Sequence, residues 1–136
     1  MRIFSHTCSN TEIVCALGCA DQLVGVDADS DYPPEVVASL PSTGRDLDLD
    51  VAAVQALEPD LVLTSLTVPG HERVVAELRA TGLATLVCDP QSLADVYADI
   101  GRIVAALDVA ERGAALVASM RAAMPAVEPA GARPRV

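Results

Sequence analysis

The stretch Asp60-Leu61-Val62-Leu63-Thr64 decides the fold. Pro59 precedes it and Pro69-Gly70 breaks the chain beyond it. A strand with one wet face alternates apolar and polar side chains. A short unbroken apolar run predicts a strand buried on both faces, as in a parallel sheet covered by helices. Downstream, the pattern predicts a helix from about His71 to Thr81, with Val74, Val75 and Leu78 on one side and Gly82 at its end. Thr85 to Cys88 is the next strand. Ser92, with Asp95 three residues on, predicts a helix start. Leu93, Val96, Tyr97, Ile100, Ile103, Val104 and Leu107 then repeat at three- and four-residue steps and give that helix one apolar face. Asp108 with Glu111 is read as another capping box. It opens a helix to about Met124 with Leu116, Val117 and Met120 inward.

Upstream, Val51 to Leu57 is a short helix stopped by Pro59, with an Asp of the preceding loop, Leu47 to Asp50, as its cap. Leu23 to Val26 is a strand, followed by a polar, turn-rich segment from Asp27 to Pro34. Pro33-Pro34 keeps Tyr32 out of helical geometry and on an extended loop. Ser9 with Glu12 is read as the capping box of a first helix that Gly18 ends. Arg2 to Ser5 is a buried opening strand. Strand and helix alternate along the chain, which predicts an α/β fold with a parallel sheet of four or five strands. Ligands of such sheets gather at the carboxyl ends of the strands. The loops there are Ser5–Asn10, Asp27–Tyr32, Thr64–Glu72 and Asp89–Ser92.

Composition narrows the function. The chain has 136 residues, a net charge of −10 and nine basic residues, all Arg. No basic face can be assembled to neutralise phosphates, so nucleic acid is excluded as a partner. Half the residues are hydrophobic and 21% are charged, which is a folding chain rather than a disordered one. No apolar run approaches the ~20 residues of a membrane span. The opening Met1-Arg2-Ile3-Phe4-Ser5-His6 lacks the charged-then-apolar pattern and cleavage site of a signal peptide. There is no internal repeat, no glycine-rich phosphate loop, no Gly-x-Ser-x-Gly elbow and no Lys for a Schiff base, so binding without covalent chemistry is expected, and no cofactor.

Several residues could carry a site. His6, Cys8, Cys15 and Cys19 are close in sequence, and zinc would want four such ligands. Cys15 and Cys19 lie in an apolar stretch and read first as structural thiols, as does Cys88. Asp27-Ala28-Asp29-Ser30-Asp31 starts like a calcium loop, but Tyr32 stands where its Gly should be and Ala38 where its Glu should be, so a solvated acidic loop is expected. Asp46, Asp48 and Asp50 are read as one cap and two water-facing carboxylates. His71 is read as an exposed residue at a helix start, on the side where ligands gather. Tyr32 is one of only three aromatics, with Phe4 and Tyr97, and is read equally as stacking on a flat ligand or as closing its loop onto the first helix.

Four motifs in register resemble one family. Ser9-Asn10-Thr11-Glu12-Ile13 with Ala16-Leu17-Gly18, then Val24-Gly25-Val26 leading to Asp31-Tyr32-Pro33-Pro34, then Ala56-Leu57-Glu58-Pro59-Asp60-Leu61-Val62-Leu63, then Asp89-Pro90-Gln91-Ser92-Leu93, are similar to the substrate-binding proteins of cobalamin and iron–siderophore ABC importers, the cobalamin-binding branch above all. The resemblance implies a two-lobed protein whose lobes are joined by one long rigid helix, with the solute in the cleft between them. It implies that residues 1–107 form the N-terminal lobe, that 108–124 form the connecting helix, and that 125–136 lead into a second lobe. A corrinoid is the implied solute, otherwise a ferric siderophore or haem, and an ABC permease the implied partner, in an extracytoplasmic setting. Tyr32 matches the aromatic that packs on the corrin ring. Polar contacts are expected from the loop of Ser5–Asn10 (His6, Thr7 and Cys8) and from Leu66 to His71. The branch's Trp before the short helix corresponds to about Asp46. A Glu that docks on a permease Arg falls near Ala52, with Asp48 and Asp50 beside it. Three rivals stand next to this reading: a zinc, iron or haem site built on His6, His71 and Cys8; an enzyme on a flavodoxin-like or nucleotide-binding scaffold, which would need the glycine-rich phosphate loop that is missing; and an orphan lobe without binding of its own.

Overall fold

The computed structural model describes residues 1–124. The expected linker, residues 125–136, lies outside the described residues. Four strands, β1 (Ile3–Ser5), β2 (Leu23–Val26), β5 (Leu61–Ser65) and β6 (Thr85–Cys88), form one parallel sheet in the order β2-β1-β5-β6. Alternate side chains leave the sheet on opposite faces. Ile3 and Leu63 go to one face, where they pack with Val14, Leu17, Leu23, Ile103 and Leu107. Phe4 and Val62 go to the other, with Val54, Val74 and Leu78. The apolar run at 61–63 is therefore covered on both faces, as its pattern predicts. Phe4 is the largest fully buried side chain. Truncating such a ring to Ala costs about 3–5 kcal/mol.

Helices α1 (Cys8–Ala16), α5 (Leu93–Leu107) and α6 (Ala110–Ala123) supply the first layer, and α3 (Val51–Ala56) and α4 (His71–Ala80) the second. The Ser92 hydroxyl accepts the Asp95 N–H at 3.2 Å, and Asp50 Oδ1 accepts the Ala53 N–H at 3.1 Å. Both caps are as read. On α5, Ile100, Ile103 and Leu107 are buried, whereas Leu93 in the first turn stays exposed.

Two capping boxes are not formed. Helix α1 begins two residues earlier than a cap at Ser9 would place it, with Thr7 at its cap position and no side-chain cap bond. Asp108 adopts a left-handed conformation (φ 55°, ψ 51°) that closes α5, and Val109 is the cap residue of α6. Three further short elements lie between Pro34 and Leu49, where the sequence predicts no regular structure. Pro33 and Pro34 open a short helix, α2 (Pro34–Val37), and β3 (Gly44–Arg45) pairs with β4 (Asp48–Leu49) as a minimal antiparallel hairpin.

Helix α6 is about 21 Å long and lies along α5. Gly113 is its one buried residue, and a Cβ there would come within 2.5 Å of Val104 Cγ2. Leu116, Val117 and Met120 are half-buried. The Arg121 guanidinium stands 4.4 Å from the ring centre of Tyr97, and Arg112 donates to the carbonyls of Leu17 and Gly18 at 3.5 and 3.3 Å.

Candidate functional site

The carboxyl ends of the four parallel strands share one edge, and buried polar side chains concentrate there: Ser5, His6, Thr7, Asn10, Thr11, Asp27, Ser30, Thr64, Ser65 and His71. β1 ends on Ser5 and β5 on Thr64 and Ser65, so the chain leaves the core with polar groups that must find partners. Beyond β1 the backbone turns sharply at Thr7, at φ 84° and ψ 145°. This is a costly region for a β-branched residue, of order 1–3 kcal/mol. Asp27, at the end of β2, holds it there. Its Oδ1 accepts the Thr7 N–H at 2.9 Å and the Ser30 hydroxyl at 2.7 Å, and its Oδ2 accepts the Asp29 N–H at 3.2 Å. Thr11 Oγ1 lies 2.9 Å from both Ser5 Oγ and Ser30 Oγ, and Thr7 Oγ1 lies 3.2 Å from Ser65 Oγ. The Asn10 Nδ2 group donates to the His6 carbonyl and to Ser65 Oγ, each at 3.0 Å.

Asp27 is thus 0% exposed, where the sequence suggests a solvated acidic loop. The correction has a physical cause: three donors converge on its carboxylate, so its oxygens are satisfied away from water.

A second arrangement centres on Asp46, in the turn between β3 and β4. The His6 Nε2 atom is 2.7 Å from the Asp46 carbonyl oxygen. A carbonyl only accepts, so Nε2 carries the proton and Nδ1 accepts from the Thr64 hydroxyl at 2.7 Å. In His71, Nδ1 accepts the Val68 N–H at 3.2 Å, so its proton is on Nε2, 3.3 Å from Asp46 Oδ2. The Asp46 N–H donates to Asp29 Oδ2 at 2.8 Å, and Arg45 pairs with Asp29 at 2.9 Å. The Asp46 N–H first, and Arg45 after it, hold the Asp29 carboxyl below the usual carboxylate range. Burial is the main cause that lowers the His6 imidazole below its ordinary value.

These geometries place the residues singled out in sequence. Tyr32 stands 59% exposed on the loop between β2 and α2. Thr7 is buried in the network, and Leu66 and Cys8 are half-buried at the same edge. His71 is 1% exposed rather than on the surface, because Asp46 and the Val68 N–H draw its ring inward. His6 and His71 have all four ring nitrogens engaged, which leaves no lone pair for a metal. The Cys8 thiol donates to the Asp29 carbonyl at 2.9 Å and is raised by burial and by Asp27, so it stays protonated. Cys15 is half-buried, Cys19 and Cys88 are buried, and all four thiols are free. Among the described residues no three His, Cys, Asp or Glu side chains are grouped to hold a metal ion. Asp46 is half-buried and bound to both imidazoles, while Asp48 and Asp50 are exposed.

Sequence reasoning missed Asn10, Asp27, Asp29 and Ser65 as organisers of this edge. Asp27 and Asp29 carry one available signal: acidic residues directly after an apolar strand, where the sheet's ligand edge lies.

The family described as periplasmic binding protein matches residues 3–133. A curated relative, an uncharacterized ABC transporter substrate-binding lipoprotein of Bacillus subtilis, is 36% identical over 122 residues, covering 88% of this chain and 38% of the relative. The vitamin B12-binding protein of Yersinia pestis is 31% identical over 102 residues, covering 75% and 36%. Among solved structures, the periplasmic heme-binding protein RhuT from Roseiflexus sp. RS-1 superposes with a TM-score of 0.76 at 33% identity, covering 89% of this chain and 46% of that one. The periplasmic vitamin B12 binding protein of Vibrio cholerae does so with a TM-score of 0.76 at 27% identity, covering 89% and 47%. The chain spans under half the length of these relatives. None of the described helices is long and apolar enough to cross a membrane.

Proposed function

Since the chain belongs to the periplasmic binding protein family, we propose that it forms one lobe of a solute-binding protein serving an ABC importer, and that its solute is a flat macrocycle of the corrinoid or haem kind. The observation that carries this reading is the exposed ring of Tyr32 at the edge where all four strands end. The chain has three aromatic side chains and leaves this one in water. A macrocycle offers the flat apolar face that such a ring stacks on. Relatives are named for B12 and for heme, two compounds of that shape.

In this reading Tyr32 packs on the ring, and Thr7, Cys8 and Leu66 border the same wall. His6 and His71 act from behind it, by fixing the Asp46 turn. Helix α6 is the connection towards a facing lobe, and the ligand is held and released without covalent change. The permease partner meets the exposed carboxylates of Asp48 and Asp50 beside α3, and the setting is extracytoplasmic.

Haem remains a second reading because the Tyr32 phenol oxygen is a competent iron donor. A haem or metal site on His6, His71 and Cys8 is not supported, since those groups are already engaged.

The test is a titration of the chain, alone and extended to two lobes, with cyanocobalamin, haem and a ferric siderophore, read by calorimetry and absorbance. A corrinoid site keeps its affinity in Tyr32→Phe and loses about tenfold in Tyr32→Ala. A haem site loses its iron-ligation absorbance in Tyr32→Phe itself. Failure of the extended protein to bind either macrocycle, including binding of the siderophore alone, overturns the proposal.

A further inference from the structure

The loop between β5 and α4 is closed by one buried side chain. Its two ends are fixed: the Leu66 N–H donates to the Cys88 carbonyl at 2.9 Å, and the Gly70 N–H to Glu72 Oε2 at 2.9 Å. Between them, Thr67 to Pro69 is held at Val68. The His71 backbone N–H donates to the Val68 carbonyl at 3.1 Å, and the Val68 N–H donates back to His71 Nδ1 at 3.2 Å. Gly70 makes the turn at φ 103°. Val68 is 40% exposed, whereas the His71 ring that holds its amide is 1% exposed.

The same ring is tied at its far nitrogen. Nε2 carries the proton and faces Asp46 Oδ2 at 3.3 Å, on the turn between β3 and β4. The neutral imidazole thus joins two loops of the carboxyl edge, as acceptor towards one and donor towards the other. A second proton can enter only at Nδ1. There it meets the Val68 N–H, and two donors make no bond. That proton also turns the contact with Asp46 into a charge-assisted one. The two tethers therefore respond in opposite directions. His6 has no such conflict, because its Nδ1 faces the Thr64 hydroxyl, which can turn from donor to acceptor.

We propose that His71 is a proton-operated latch: uncharged, it closes the Thr67–Pro69 loop on the carboxyl edge, and on protonation it releases the Val68 amide while keeping its hold on Asp46. Acid would loosen the part of the edge that carries Val68 and leave the Asp46 turn in place. The proposal goes beyond the identity of the solute and does not depend on it. The charged and titratable groups around the ring come from four elements. Asp46 faces it from the β3–β4 turn, backed by the pair of Asp29 with Arg45. His6, after β1, meets it with ring centres 5.2 Å apart, and Asp27, at the end of β2, acts on His6. Glu72 stands beside it on α4, and Arg73 there is turned to the Leu47 carbonyl and Glu77. Two charged rings at the His6–His71 distance repel, so the pair takes its protons one at a time.

The experiment is an NMR titration of the full chain from mildly alkaline to mildly acidic pH. Ring-carbon shifts report the protonation of His71 and of His6, and hydrogen exchange, corrected for its intrinsic pH dependence, reports the Val68 amide. Protection at Val68 is expected to fall about tenfold with the midpoint of the His71 ring. Two variants separate the tethers. His71→Asn puts an oxygen near the Nδ1 position, an acceptor that does not titrate, and should keep Val68 protected throughout. His71→Gln puts an amide nitrogen near the Nε2 position, serves Asp46 alone, and should leave Val68 unprotected throughout. Thermal midpoints confirm that both fold, and the wild-type titration decides by itself if either does not. His6→Gln should leave the Val68 transition in place. A Val68 amide still protected when His71 is charged, a transition that survives in His71→Asn, or one that vanishes with His6 would each overturn the latch. No solute enters these measurements, so the latch and the macrocycle reading can fail separately.

Discussion

The rings of His6 and His71 meet edge to face, with centroids 5.2 Å apart and planes at 72°. His6 follows β1 and His71 opens α4, and both reach Asp46, one at its carbonyl and the other at its carboxylate. A turn between two-residue strands has little stability of its own. Two buried imidazoles and the ion pair of Asp29 with Arg45 tie this one to the sheet.

Stability should fall on acidification from near neutral pH, through His6. Burial holds its imidazole below the ordinary value of 6.5, against the opposing pull of the Asp46 carbonyl, Asp27 and the Asp46 carboxylate, while His71 lowers it further. Between the folded value and 6.5 the unfolded chain binds more protons than the folded one. Stability is therefore full above 6.5 and is lost as pH falls below it. Asp29 acts in a separate, lower window: its carboxyl is held below 3.8, so its contribution goes only as pH falls under that value. Thermal midpoints measured across pH should show the upper slope in the wild type and a flatter one in His6→Gln. A slope that survives unchanged in that variant assigns the effect to another group.

Removing the Asp46 carboxylate should separate the two tethers. Asp46→Ala leaves the carbonyl that His6 uses and strips the acceptor from a His71 ring that is almost fully buried. An unsatisfied buried donor costs about 1–3 kcal/mol. Asp46→Asn keeps an oxygen in place and should cost less than half as much. Urea unfolding of the two variants checks the ratio, and equal losses would mean that the bond to His71 contributes nothing.

How much of this edge the sequence discloses depends on the range of the interaction concerned. The Ser92 and Asp50 caps were legible because donor and acceptor lie three residues apart. The strand at Leu61–Ser65 was legible because burial on both faces leaves a continuous apolar run. The start of α1 was not: Thr7 takes its strained backbone from a bond to Asp27, twenty residues on. His71 reads as exposed because the acceptor that buries it, Asp46, is twenty-five residues away. Asp108 carries the local pattern of a cap and instead ends α5 in the left-handed region, a conformation open to Asp. The β3–β4 hairpin has two residues per strand, too few to show a period. The fold was legible because it rests on apolar runs and helical periods local in sequence, and the wiring of the edge was hidden because it rests on pairings between distant residues.

Asp27 should be the most sensitive polar residue of the edge. Asp27→Ala removes the acceptor for the Thr7 N–H, the Ser30 hydroxyl and the Asp29 N–H together. Hydrogen bonds to a charged group contribute about 1.5–3 kcal/mol each, with losses that do not simply add. A destabilisation of about 3–5 kcal/mol is expected from calorimetry or urea unfolding. Hydrogen exchange at the Thr7 amide should quicken before that of β1 as a whole. A loss below about 1 kcal/mol would show that the strained turn holds without Asp27.

Substitution of Gly113 tests how closely α6 is bound to the lobe. Helix propensity alone favours Gly113→Ala by about 1 kcal/mol. Contact opposes it, because the new Cβ would lie 2.5 and 2.6 Å from the two methyl carbons of Val104, and a β-branched side chain in a helix has no other rotamer to move to. Overpacking of this kind costs about 1–3 kcal/mol, so the net effect should be a loss. Val104→Ala makes room for the methyl group. In that background Gly113→Ala should turn from destabilising to stabilising, and the four unfolding free energies should give a coupling of about 1–3 kcal/mol. A Gly113→Ala variant more stable than the wild type would mean that α6 swings clear of α5 in solution.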